Sequence, residues 1–241
     1  MSALLGDLRI VLTRPEDAST DLFDALEGAG AQVDNVPLIA IGPPSDGGHA
    51  LQSALVDPLV YEWIVVTSAN GARVLREAAG GRTLPKVAAL GAATAAAFGG
   101  PVSFIPSKAN ALTLAEEFDS GTGRVLVVGA EEPSADMAAL LHPKGWNVEV
   151  VAGYATSSVM LEQQDRRQVM GADVVVFASG SAVRSFAEQR LTGPHTVFVA
   201  LGESTRRVMD DLGIRVSAVA QSPSASDVVA AVGEATGRTS P

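Results

Sequence analysis

The chain has 241 residues, 47% of them hydrophobic, enough for one large buried core or two smaller ones. It has no cysteine, which excludes disulfides, thiolate zinc sites and cysteine nucleophiles; a reducing compartment is compatible with this, and the cytoplasm is the expected location. With 27 acidic and 17 basic residues the net charge is -10, and no Lys/Arg stripe offsets it, which disfavours nucleic acid and anionic membranes as bulk partners.

The first ten residues, MSALLGDLRI, lack the basic head and apolar core of a signal peptide. Arg9 to Thr13 reads as a buried strand. Asp17 to Ala29 then places Ala18, Leu22, Ala25, Leu26 and Ala29 on one helical face, with Gly30 as the stop. Gln32 to Ile41 is extended and ends at Gly42-Pro43-Pro44. Trp63 to Thr67 and Val87 to Leu90 are further strands, each leading into a helix, and Val102 to Ile105 is a strand followed by a helix over Asn110 to Phe118. The alanine-rich run VAALGAATAAAFGG is too short and too mild to span a bilayer. Strands alternating with helices in this way predict an α/β protein with parallel sheets.

The same order recurs from Arg124. Arg124 to Val128 reads as a strand, Ser134 to Leu141 as a helix, and Asn147 to Ala152 as extended chain. Superposing Arg9 on Arg124 also places Ser19 on Ser134, Asp21 on Asp136, Leu26 on Leu141, Gly30 on Gly145 and Val33 on Val148, a constant offset of 115. Further on, Ser68 falls on Ser179, Gly91 on Gly202 and Thr94 on Thr205 at an offset of 111, so one loop is four residues shorter. A repeat of roughly ninety residues exceeds solenoid periods and implies two similar lobes with a cleft between them.

Four matched strand-to-helix turns carry the chemistry: Ser68-Ala69-Asn70-Gly71, Gly91-Ala92-Ala93-Thr94, Ser179-Gly180-Ser181 and Gly202-Glu203-Ser204-Thr205. In parallel sheets such turns lie at the C-terminal strand ends, where helix N-termini present free N–H groups to anions. Ordinary N-capping by Ser, Thr and Asn would produce the same residues. His49, His142 and His195 have no ligand spacing and read as surface residues. No GxSxG elbow, Walker loop or complete GxGxxG follows a strand, which disfavours a hydrolase triad, a dehydrogenase or a methyltransferase.

The order VLTRP, VTSANG, LGAAT, IPSKANALTLAEEF, VVAGYAT, VFASGSAV, LGEST and SPSASDVV resembles that of the uroporphyrinogen-III synthases over nearly the whole chain. The resemblance implies two α/β lobes: residues 1–36 with 158–241, and 43–148, joined by a two-stranded connector at 37–42 and 149–157. It implies cyclisation of hydroxymethylbilane to uroporphyrinogen III with loss of water and inversion of the last pyrrole ring, and it implies neither cofactor nor metal. The expected partners are the tetrapyrrole substrate and, in a transient hand-over, hydroxymethylbilane synthase; a monomer is expected.

On that pattern Tyr154 matches the connector tyrosine, and its phenol can assist departure of the substrate hydroxyl. The substrate carries eight carboxylates. These fall to Ser68, Asn70, Ala92, Thr94, Ser179, Ser181, Ser204 and Thr205, with Arg14 and Lys108 as cationic supplements. The first copy has Thr67 where the second has Ala178, and Glu203 places an acid beside a proposed anion site. The alternative from another class is a catalytically inactive two-lobed binding or regulatory protein for an anionic small molecule.

Overall fold

In the computed structural model, which describes residues 4–15, 20–193 and 195–238, the short β-branched runs form ten strands and the alanine- and leucine-rich stretches ten helices among the described residues. The predicted helical positions Asp17, Ala18 and Ser19 lie outside the described residues. Internal contacts divide the chain into two units, residues 1–40 with 157–241, and residues 41–156.

The first unit is built on a sheet of β1 (Arg9–Leu12), β2 (Gln32–Asn35), β8 (Val174–Phe177), β9 (Val197–Ala200) and β10 (Ala218–Val219), in the order β10-β9-β8-β1-β2. Its strand pairs are parallel. Alternation along the strands feeds two cores. Ile10, Leu12, Val174, Val176 and Val199 meet Leu22 and Leu26 of α1 (Thr20–Gly28) and Val228 and Val232 of α10 (Ala225–Ala235). On the opposite face Val11, Val175 and Phe177 meet Val169 of α7 (Gln163–Met170), Val183 and Phe186 of α8 (Gly180–Glu188) and Met209 of α9 (Glu203–Asp211). Gly30 ends α1 as expected, at φ 97°.

The second unit is likewise doubly wound. Its sheet contains β3 (Ile39–Gly42), β4 (Trp63–Val66), β5 (Lys86–Ala89), β6 (Arg124–Ala130) and β7 (Asn147–Ser158), in the order β3-β7-β6-β4-β5. Ile64, Val66, Val87, Leu126 and Val128 face Leu51 of α2 (His49–Ala54), Leu75 of α3 (Ala69–Ala79) and Phe98 of α4 (Ala92–Phe98). Val65, Ala88, Val125 and Val127 face Leu114 of α5 (Ala111–Glu117), Met137 and Leu141 of α6 (Met137–Leu141), and Trp146. Phe118 packs edge-on against Trp63 and Phe104 in this second layer.

Three local expectations are revised. Val102 to Ile105 forms no full strand: Phe104 makes a single bridge to Ala88 at the sheet edge. Pro101 and Pro106 bracket this segment and supply no N–H to a ladder. The sixth helix begins at Met137 rather than near Ser134, because the Asp136 carboxylate accepts from Ala139 N and sets the start there. The second extended run continues past Ala152 to Ser158, whereas the first is broken into β2 and β3 around Pro37.

Candidate active site

In the unit formed by residues 41–156, four chain segments reach the C-terminal edge of the sheet side by side. Thr67 N donates to Val128 O at 3.2 Å and Leu90 N to Val66 O at 3.0 Å, which carries the ladder up to the Ser68 and Gly91 turns. Ser68 caps α3, accepting from Gly71 N at 3.0 Å. That cap uses a lone pair and leaves the hydroxyl proton for a ligand. Asn70 accepts through Oδ1 from Arg73 Nη1 at 2.8 Å, so a guanidinium stands at this turn. The i, i+3 spacing of Asn70 and Arg73 is the sequence signal for this contact.

The Gly91 turn is built differently. Gly91 gives α4 no side-chain cap, so no side-chain acceptor is supplied at its N-cap. A methyl group at Gly91 would come within 2.7 Å of the Ala109 Cβ, and this close approach seats the segment carrying exposed Lys108 against the turn. Ala92 is exposed, whereas Thr94 is buried, at 7% exposure.

Tyr154 lies on β7 at the same edge, 9% exposed. The β6–β7 ladder pairs Val128 with Val151 and Gly129 with Ala152, and then Ala130 with Tyr154, skipping Gly153. The extra residue is a bulge, and it shifts the alternation by one, so Tyr154 follows the parity of Val151 instead of that of Ala152. An added Cβ on Gly153 would lie 3.0 Å from Val128 Cγ1 and 3.7 Å from Val74 Cγ1 of α3. One on Gly71 would lie 3.7 Å from Gly129 Cα. The first turns of α3 therefore rest against the bulged ends of β6 and β7, and the Ser68 turn and the tyrosine strand are neighbours. Glu131 N donates to Tyr154 O at 2.8 Å just beyond β6.

In the unit formed by residues 1–40 and 157–241, the turns after β1, β8 and β9 also lie together. Thr13, 1% exposed, donates its hydroxyl to Val176 O at 2.9 Å, which fixes the end of β1 beside that of β8, and half-buried Arg14 follows it. Leu201 N donates to Phe177 O at 2.9 Å, which aligns the Gly202 turn with the Ser179 turn. Ser179 caps α8 through Ala182 N at 3.3 Å, and Ser181 is half-buried in the first turn. A methyl at Gly180 would reach 2.7 Å from Val208 Cγ2, so the start of α8 rests against the C-terminal half of α9. Gly202, like Gly91, supplies no side-chain cap. Ser204 is exposed and Thr205 is buried, at 2% exposure.

The acid beside this turn is neutralised locally. Arg206 Nε donates to Glu203 Oε2 at 2.9 Å, and the same guanidinium pairs with Asp210. The hydrogen bond from Arg206 holds the Glu203 carboxyl below the usual carboxylate range. Glu203 is thus committed to its own helix.

Among the described residues no group of three or more His, Asp or Glu side chains has a metal-binding arrangement, and no helix is long and apolar enough to cross a membrane. A depression of about 300 Å³ lies near the start of the second unit's strands, where Tyr61 donates to Glu149 at 2.8 Å and Arg124 stacks over its ring at 4.7 Å. Ligands of parallel sheets bind beyond the other, C-terminal ends.

Residues 8–237 match the family model described as uroporphyrinogen-III synthase HemD. A curated Archaeoglobus fulgidus protein, provisionally named a uroporphyrinogen-III synthase, is 31% identical over 165 residues, covering 64% of this chain and 72% of its own. The structure is similar to that of a mutant Thermus thermophilus uroporphyrinogen III synthase, with a TM-score of 0.64 at 16% identity over 92% of this chain and 96% of that one. It is also similar to the Helicobacter pylori uroporphyrinogen-III synthetase, with a TM-score of 0.62 at 16% identity over 91% and 95% of the two chains. With a family match spanning nearly its whole length and a fold to agree, the chain belongs to the uroporphyrinogen-III synthases, cyclising lyases of tetrapyrrole biosynthesis that act on hydroxymethylbilane.

Proposed function

We propose that Tyr154 donates a hydrogen bond to the departing hydroxyl of hydroxymethylbilane while the strand-end turns hold the carboxylates. The pyrrole nitrogen supplies the electron pair that expels the hydroxyl, which takes up a proton and leaves as water. The azafulvene so formed is attacked by the substituted carbon of the last ring. The spiro intermediate opens, recloses with that ring turned, and loses a proton to restore the pyrrole. Much of the enzyme's task is then orientation, and the phenol of Tyr154 assists the first step as a hydrogen-bond donor.

The observation that carries this reading is the bulge at Gly153, which gives Tyr154 the register of Ala130 at the C-terminal edge beside the Ser68 turn. Ser68, Asn70, Ala92, Thr94 and Lys108 are read as carboxylate ligands from the second unit, and Arg14, Ser179, Ser181, Ser204 and Thr205 as those from the first. The open helix starts at Gly91 and Gly202 support backbone N–H groups as the main donors.

Residues 37–42 and 149–157 are read as the connector of two duplicated lobes, 1–36 with 158–241 and 43–148. The contact division after Ala40 and Thr156 and the adjacency of β3 and β7 support this. So does the strand order: β1 lies between β2 and β8 as β6 lies between β7 and β4, with β9 and β5 next outward. A cytoplasmic monomer that receives its substrate from hydroxymethylbilane synthase fits a product that cyclises spontaneously to the wrong isomer.

Incubating the protein with freshly generated hydroxymethylbilane and resolving the III from the I isomer tests the reading. Predominant III isomer is expected. Only the I isomer, which forms without a synthase, would instead mark a binding protein.

A further inference from the structure

Glu131 is the first residue beyond β6, and it does two separate things. Its N–H donates to Tyr154 O at 2.8 Å. Its carboxylate oxygen Oε1 accepts from Ser45 N at 2.9 Å and from the Ser45 hydroxyl in a short hydrogen bond. Ser45 belongs to the loop that leaves β3, and the sheet order is β3-β7-β6. A bond from the end of β6 to the loop after β3 therefore spans the position of β7, the strand that carries Tyr154.

The loop on the far side is itself well braced. Asp46 Oδ1 accepts from Gly48 N and Oδ2 from Ala50 N, both at 2.8 Å, and Gly47 N donates to Pro44 O at 2.8 Å. Ser45 is thus a fixed post and not a loose end. The β6–β7 ladder is irregular at this same level, between Gly129 and Ala130, where regular pairing no longer dictates the register. A bulged strand end needs an added restraint to hold a side chain to within a fraction of an ångström.

We propose that Glu131 is a positioning residue for the cyclisation: its Ser45-anchored carboxylate and its N–H together hold the bulged segment of β7 so that the Tyr154 phenol meets the departing hydroxyl. The inference rests on the reading of Tyr154 given above. Hydrogen bonding from Ser45 also keeps the Glu131 carboxyl below its usual range, so the acceptor stays ionised at neutral pH. The role requires an acceptor, not a charge, and Gln can supply one.

Steady-state kinetics with freshly generated hydroxymethylbilane tests this across Glu131→Ala, Glu131→Gln, Ser45→Ala and Tyr154→Phe, with folding checked by circular dichroism. Glu131→Ala should lower kcat by about tenfold with KM within about twofold, the pattern of a contact made only in the transition state. Glu131→Gln should stay within about twofold of the parent, and Ser45→Ala should lie between the two. Adding Glu131→Ala to Tyr154→Phe should cost little more, because both remove the same contribution. If Tyr154→Phe is impaired while Glu131→Ala or Ser45→Ala is fully active, the positioning role is wrong and the tyrosine reading survives. If Tyr154→Phe is fully active, the tyrosine reading fails and takes the positioning role with it. Should Glu131→Ala fail to fold, Glu131→Gln against Ser45→Ala still decides: equal loss in both, or additivity of Ser45→Ala with Tyr154→Phe, overturns the proposal.

Discussion

Ala130 pairs across the β6–β7 ladder with Tyr154, and Gly153 is left out of register between Ala152 and Tyr154. One inserted glycine thereby decides the parity of the only tyrosine at the C-terminal edge of that sheet among the described residues. The other tyrosine, Tyr61, lies at the opposite strand ends against Glu149 and Arg124.

Tyr154→Phe removes the phenolic proton and keeps the ring. The expected result is a kcat lower by about 10- to 100-fold with little change in KM, since only the hydrogen bond to a leaving group is lost. Unchanged turnover at saturating substrate would remove the assigned role.

Gly153→Ala places a Cβ 3.0 Å from Val128 Cγ1, so the bulge must shift by a few tenths of an ångström. Gly153→Val adds more atoms in the same space, and overpacking of this kind costs about 1–3 kcal/mol. Urea unfolding should show a graded loss from Ala to Val. Turnover should fall further than stability explains at assay temperature, because Tyr154 moves with its neighbour; equal retention of kcat in both variants would contradict that.

Arg73 stands at the Ser68 turn through Asn70, and Arg184 lies in the first turns of α8, where its Nη1 is 3.5 Å from the Cβ site of Gly180. In a protein of net charge -10 that binds an octacarboxylate, these cations matter locally. Arg73→Gln and Arg184→Gln should each raise KM by about two- to fivefold, the range for an exposed charge contact. The effect should shrink as added salt shortens the Debye length from about 8 Å. A salt-independent change, or none, argues that neither guanidinium meets the substrate.

Burial and the hydrogen bond to Glu149 push the Tyr61 phenol up to about 12. The folded chain thus keeps a proton that the unfolded chain releases near pH 10, about the model-peptide value. The contribution to stability is intact below about pH 10 and is lost as the pH rises from about 10 to about 12. Ultraviolet titration should show a late phenolate transition that disappears in Tyr61→Phe, and the variant should lose less stability over that window. A single transition near the ordinary value would show that Glu149 does not hold the proton.

Most elements were legible because a parallel sheet buried on both faces demands continuous apolar strands, and RIVL, WIVV and VVVF can be little else. The edge segment around Phe104 was misjudged because its apolar residues resemble a strand while its flanking prolines deny it a ladder. Among site features, the Ser68, Gly91, Ser179 and Gly202 turns were visible as small residues between a strand and a helix. Glu131 was not, since its partner Ser45 is 86 positions away and nothing in either segment marks the other. The neutralisation of Glu203 by Arg206 was readable in principle from their i, i+3 spacing.

By itself the sequence determined the alternation of strands and helices, the repeated order of turns and the identity of the residues at the strand ends, because hydrophobic period and turn chemistry are local. Only the tertiary structure decided which strands share a sheet. β1 and β2 lie beside β8 and β9, whereas β4 and β5 lie beside β6 and β7, so each five-stranded sheet combines strands from the first and the second half of the chain, two with three in one sheet and three with two in the other. Strands with similar edges can pair in more than one order at similar local cost, and the choice falls to packing of side chains far apart in the chain. The bulge at Gly153 belongs to the same class: the pairing partner on β6, and not the run VVAGYAT, sets where Tyr154 stands.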